Sequence, residues 1–294
     1  PTPDKLTWKF KAENVHDFVW AADRDYTHNI IVNDTGPDLH LFYQKGEKTK
    51  EWASLGEYMI RTFEYADKHF GKYPYPHYSI IQGGDGGMEY PMATLITGHR
   101  NLKSLVGVSV HEAMHSWYQG LLATNEAKYA WMDEGFTSYA SNRIEQQFFP
   151  EDFTETHQGS YNGYKRIAKS TYEEPLCTHA DHFNTNWAYG TASYSKGVVI
   201  LDQLSHIVGQ ETIDKSLKRY FNEWAYKHPN ASDFKRIVEK ESNIELDWYF
   251  DYFVNTTKTI DYGIYAVKST KNGTQIMLKK GEMPMPIELS ILLK

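Results

Sequence analysis

The stretch HEAMHSWYQG at 111–120 restricts this chain more than any other. Residues four apart share one face of an α-helix, so on a helix His111 and His115 point their imidazoles at one place. Glu112 sits about 100° further round the same helix. From there it reaches a water held at that place rather than the place itself. Two histidines so arranged suit Zn²⁺, which in catalytic sites takes three protein ligands and leaves a position for water. Glu112 is then in position for a general base. The third ligand has to come from another element. Glu134, in WMDEGFTSY, opens a second amphipathic pattern carrying Phe136, Tyr139, Ala140, Ile144 and Phe148. A helix, a connection and a returning antiparallel helix would bring Glu134 beside His115. A bare HExxH match also occurs by chance. The credible helix around it, the glutamate at return spacing and the helix begun by that glutamate together favour one zinc ion held by His111, His115 and Glu134.

The periodicities around this core predict an α+β chain. Short strands are expected at TWKFKA, DFVWAA and NIIVND in the first 44 residues, with turns at Asn33-Asp34 and Gly36-Pro37 between them. A helix is expected from about Glu51 to His69, stopped by Gly71 and Pro74. YSIIQ and MEYPMATLI read as strands separated by GGDGG, where the backbone can approach a neighbour closely. Ser104 is the expected cap of a helix running through Gln119, and a second helix is expected from Asp133 to Phe148. Further helices are expected at about 151–168, 192–208, 210–226, 231–242 and 245–255. Alternation around Asn272-Gly273 predicts a hairpin, and PMPIELSILLK reads as one more strand.

Composition adds exclusions. The net charge of −7 argues against a nucleic-acid partner, which wants a basic face. The single cysteine, Cys177, rules out an internal disulfide. No apolar run approaches the roughly 20 residues of a membrane-spanning helix, and no signal peptide is visible at the start, which is Pro1 rather than Met. A soluble protein is expected, with its compartment, cytoplasmic or exported, left open.

At HEAMHSWYQG…WMDEGF the sequence resembles the gluzincin zinc aminopeptidases, the aminopeptidase N and leukotriene hydrolase group. Eighteen residues separate His115 from Glu134, as in the family's HExxH-x18-E signature. GGMEYP at 86–91 lies where the family carries its GxMEN element, VHDFVWAA at 15–22 resembles the join to its N-terminal β domain, and SYSKGVVIL at 193–201 resembles its Tyr-x-Lys-Gly segment. The resemblance implies a thermolysin-like catalytic domain, a small sheet plus a mostly helical half, over residues 45–257. It also implies the end of an N-terminal β domain with connecting strands over 1–44, and the start of a truncated C-terminal β domain over 258–294. Peptides with a free N-terminus are the implied substrates, and the flanking domains of a longer protein the implied partners.

The same resemblance assigns roles. Glu89 binds the substrate's α-amine, Gly86, Gly87 and Met88 line the peptide, and Tyr194 stabilises the oxyanion together with zinc. With 22 tyrosines in the chain, only the Ser-Lys-Gly that follows Tyr194 singles it out, and Tyr189 is the fallback. Tyr90 follows Glu89 where the family commonly has Asn, a departure that bears on the first side-chain pocket. Asp133 either supports a zinc ligand or caps the helix. Cys177, His179, Asp181 and His182 form either a second metal site or, the favoured reading, a solvated loop. His99, beside Arg100, reads as a surface or pocket-rim residue. The rival functions are a thermolysin-type endopeptidase and a non-catalytic scaffold of the same fold. Glu89 in its Gly-Gly-Met-Glu setting argues against the first, and the complete ligand set and base against the second.

Overall fold

The structure, a computed structural model, describes residues 5–292 apart from Asp85. Its first half is organised by a five-stranded sheet in the order β1-β2-β3-β5-β4: β1 Tyr26–Ile31, β2 Asp38–Gln44, β3 His77–Gly83, β4 Gly87–Tyr90 and β5 Ala93–Thr97. β2, β3 and β5 run parallel, while β1 and β4 lie antiparallel at the two edges. Helix α1, Trp52–His69, makes the crossover from β2 to β3 and buries Leu55, Met59, Phe63 and Ala66. Leu39, Leu41, Tyr78, Ile80 and Ile96 are buried in the same core. Trp52 ties helix to sheet: its ring stacks on Tyr43 with centroids 5.1 Å apart, and its indole N–H donates to the Gly98 carbonyl at 3.0 Å.

The second half is helical. α2 Leu102–Met114 and α3 Phe136–Phe148 pack on each other and are followed by α4 Gln158–Ile167, α5 Asn186–Gly190, α6 Gly197–Val208, α7 Gln210–Trp224, α8 Ala231–Ser242 and α9 Asp247–Asn255. A separate hairpin, β6 Tyr262–Thr270 with β7 Gly273–Lys280, closes the chain's regular structure.

Several expectations need correction. TWKFKA and DFVWAA form no strands, and Trp8, Phe10 and Trp20 are largely exposed. NIIVND does contribute to β1, but the partner strand β2 was not foreseen. Since β1 and β2 pair into the same sheet as β3, a boundary at residue 44 would cut that sheet. MEYPMATLI is a hairpin rather than one strand. Pro91 has no N–H for the ladder, Met92 sits at φ 61°, and Tyr90 pairs with Ala93 across the turn. The cap of α2 is Asn101, whose side chain accepts from the Ser104 amide. α2 ends at Met114 instead of Gln119, because Tyr118 and Gln119 leave helical geometry and the Gly120 amide turns back onto the His115 carbonyl at 2.9 Å. PMPIELSILLK shows no strand over its described residues, 284–292, and its last two residues lie outside them. The hairpin near Asn272 is present, with Thr270 pairing with Gly273.

Candidate metal centre

The end of α2 and the wide helical turn Trp131–Gly135 that leads into α3 meet where β4 forms the free edge of the sheet. His111 and His115 project from α2, and Glu134 from that turn. His111 Nε2 lies 3.2 Å from Glu134 Oε2, His115 Nε2 lies 3.3 Å from the same oxygen, and the two Nε2 atoms are 3.2 Å apart. Donors bonded to one tetrahedral zinc at about 2.0–2.2 Å stand about 3.3–3.5 Å from one another. The triangle thus has nearly the dimensions of one face of such a site, and its two-imidazole, one-carboxylate donor set suits zinc. Burial would raise the Glu134 carboxyl, but hydrogen bonds from His111 and His115 overcome this and hold it below the usual carboxylate range.

Asp133 supports one of these ligands. Its Oδ1 lies 2.6 Å from His115 Nδ1, and both side chains are almost wholly buried. Burial disfavours a charged His115, yet Asp133, with Glu134 and Glu89 behind it, outweighs burial and the pKa rises. A proton kept on Nδ1 leaves Nε2 free to face the triangle, the usual arrangement for a metal-binding histidine. Of the two roles open for Asp133, the geometry gives this one, since no side chain caps α3.

Glu112 faces the same cleft, a space of about 360 Å³ that is also lined by Gly87, Met88, Glu89, Glu126, Tyr189 and Tyr194. Glu112 is only 6% exposed, and its Oε2 has no hydrogen-bond partner. Burial pushes its carboxyl up to about 8, with Glu89, Glu134 and Asp133 adding to the rise and His115 opposing it. A cation in the triangle beside it favours the carboxylate instead.

Gly87 shows why glycine is needed at this corner. A Cβ there would lie 2.2 Å from Glu112 Oε1 and 2.8 Å from Val108 Cγ2. Only a bare backbone lets β4 come this close. Gly86, at φ 41°, makes the preceding turn, and its carbonyl accepts from the Thr97 amide at 2.8 Å. Arg100 reaches the same carbonyl at 3.3 Å and Ser104 Oγ at 2.9 Å, so it braces the loop. Gly87→Ala is expected to push Glu112 aside and lower turnover by on the order of 10²-fold, the scale seen when a catalytic group moves by about 1 Å. Steady-state kinetics beside zinc content checks this.

Tyr194 donates to Glu134 Oε1 at 2.5 Å, and its ring lies nearly parallel to His111. Burial first, and then Glu134, push its pKa far upward, so the phenol stays protonated. Tyr189 lines the cleft without such a bond to Glu134. Two glycines set the approach of the Tyr194 turn, Thr191–Lys196, to the Glu134 turn. A Cβ on Gly135 would stand 2.6 Å from the Gly197 Cα, and one on Gly197 would stand 2.7 Å from the Gly135 Cα.

Among the described residues, the side-chain groupings close enough to share an ion all lie in this cleft. The Cys177 segment is not one of them. Its His179 instead caps a short turn by accepting from the Asp181 amide at 3.2 Å. Sequence reasoning missed Glu126, which sits in the loop after α2 with one carboxylate oxygen close to those of Glu89 and Asp133. Nothing in its local sequence distinguishes it from a solvated loop residue.

Comparison with known proteins gives a consistent pattern. The family model "Peptidase family M1 domain" matches residues 56–253. Aminopeptidase B of Rattus norvegicus is 31% identical over 225 residues, 71% of this chain and 32% of that protein. Leucine aminopeptidase 2 of Neurospora crassa is 27% identical over 204 residues, 64% of this chain and 30% of that protein. The chain therefore spans about a third of the length of the curated relatives it matches. Among solved structures, an M1 zinc metallopeptidase from Deinococcus radiodurans, a mutant bound to a Tyr-Ser-Ala substrate, superposes with a TM-score of 0.61. The match has 16% identity and covers 78% of this chain and 51% of that one.

Proposed function

This chain belongs to peptidase family M1, and on that premise we propose that it is a zinc-dependent aminopeptidase releasing the first residue of peptides. The observation that carries this reading is the triangle of His111, His115 and Glu134 set in one cleft with Glu112 and Glu89. One zinc ion held by those three residues would supply Lewis acidity to the attacking water and the scissile carbonyl.

The chain's own residues do the rest. Glu112 takes the proton of the attacking water and delivers it to the leaving nitrogen. Glu89 accepts charge-assisted hydrogen bonds from the α-ammonium, which places the first peptide bond over the centre. β4 is an edge strand, and the peptide adds to it as a further strand along Gly86, Gly87 and Met88. The Tyr194 hydroxyl donates to the developing oxyanion. Tyr194→Phe is expected to lower kcat by about 10²–10³-fold while zinc content is kept, and kinetics with metal analysis checks it.

We read the fold as thermolysin-like, with its catalytic unit beginning at β1 and residues 258–294 opening a β module. Segments of a longer protein before and after are the intended partners. No helix among the described residues is long and apolar enough to cross a membrane.

A panel of aminoacyl chromogenic substrates, run with and without a chelator, tests the proposal. Cleavage that needs the free amine and stops on chelation supports it. N-acetylated peptides cut as fast as free ones would point to an endopeptidase instead.

A further inference from the structure

We propose that His28 and His40, completed by His77, form a second metal site at the end of the sheet away from β4, suited to a divalent ion of square-planar preference, Cu²⁺ above all. His28 Nε2 lies 3.0 Å from His40 Nδ1. The His77 ring comes next in the row, its centroid 5.7 Å from that of His40. The proposal does not depend on the aminopeptidase reading.

The strands bring these rings together. β1 and β2 pair Ile30 with His40, and β2 and β3 pair His40 with Ser79 and Asp38 with His77. Side chains alternate between the two faces of a sheet, so His28, His40 and His77 share one face. Each stands diagonal to the next, a separation that long side chains bridge. The opposite face is taken up by the core through Leu39, Leu41, Tyr78 and Ile80. His28 is exposed and the other two histidines are half-buried, so an ion reaches them from solvent.

The spacing selects the ion. Two nitrogens bonded to one metal at about 2.0–2.1 Å stand about 3.3–3.4 Å apart at the tetrahedral angle and about 2.8–3.0 Å apart at a right angle. The 3.0 Å between His28 and His40 fits the right angle, which is the angle of square-planar Cu²⁺ and Ni²⁺. Of the divalent first-row ions, Cu²⁺ is held most tightly by such donors. The His28 ring is already fixed, stacked on Phe42 with centroids 4.1 Å apart and planes 12° apart. Burial first, and then His28 and His77, lower the His40 pKa against the pull of Asp38, so the ring is neutral and able to ligate at neutral pH. The groupings with three donors already in reach of one ion are those of the cleft. Here two donors are in place and His77 turns its ring to join them, with the Asp38 carboxylate beside it on the same face. With no ion, the two close nitrogens share a hydrogen bond, and the experiment separates these states.

Zinc-loaded protein is given one equivalent of Cu²⁺ and followed by electron paramagnetic resonance, with affinity measured by competition against a chromogenic chelator. One copper is expected to bind while the zinc stays, with splitting from at least two imidazole nitrogens. Groups that only support a metal ligand are worth about 10–100-fold in affinity. His28→Gln and His40→Gln, which remove ligands, are each expected to weaken copper by at least that much, and His77→Gln by about tenfold. Zinc content and thermal midpoint should hold in all three, so that lost copper is not lost fold. Unchanged copper affinity in any of the variants, copper that binds only as zinc leaves, or a bound copper without imidazole splitting overturns the proposal. So does a parent protein that takes up no copper, which would leave the 3.0 Å contact as a hydrogen bond and nothing more.

Discussion

Glu112→Gln is expected to bind zinc as the parent does and to lose about 10³-fold or more of kcat. The substitution keeps the shape of the side chain and removes its ability to take a proton. General acid–base catalysis by a placed side chain contributes about 10²–10⁴-fold, and here one group is asked to serve both the attack and the departure, which places the expectation in the upper part of that range. The structure favours a large effect for two reasons. Glu112 is buried, with one oxygen free of any protein partner, so no local bond has to be broken before it acts. Its surroundings also lift its carboxyl to about 8, chiefly by burial, and a neighbouring cation opposes that rise and favours the carboxylate that accepts the proton. Metal content by elemental analysis and kcat on a free-amine substrate check the result. Near-normal turnover would remove Glu112 from the mechanism.

Glu134→Ala is expected to abolish activity by releasing the metal. Glu134 Oε2 is the corner common to both imidazole contacts, at 3.2 and 3.3 Å, and its other oxygen accepts from Tyr194. Its removal deprives the triangle of its anionic member and frees the Tyr194 hydroxyl. Loss of a group that merely supports a ligand weakens metal binding by about 10–100-fold, so loss of the ligand itself should exceed that. Competition titration with a chromogenic chelator measures the affinity, and added zinc should restore little activity at concentrations that saturate the parent.

The site was more legible than the fold around it. His111 and His115 needed only helical spacing, and Glu134 only a return path, so local geometry was enough. Asp133 left two roles open because a side chain at the start of a helix can turn to the backbone or across to a neighbour. The choice depends on α2 lying close enough to offer His115 Nδ1 at 2.6 Å. Glu126 drew no notice because its place in the cleft depends on where a loop comes to rest beside β4. The same distinction holds for the strands. β3 carries its own apolar signal, whereas the expected strands in TWKFKA and DFVWAA have β-prone residues but no neighbouring strand. Pro91 and Met92 turned one long apolar run into two strands, and the edge so created faces the centre.

Anomalous diffraction at the zinc edge, from crystals of zinc-loaded protein, tests the central claim most directly. The account predicts one strong peak bonded to His111 Nε2, His115 Nε2 and a carboxylate oxygen of Glu134, with Glu112 beside it but outside the ligand set. Loaded protein with no peak among those three side chains, or with its zinc on another set of residues, would contradict it.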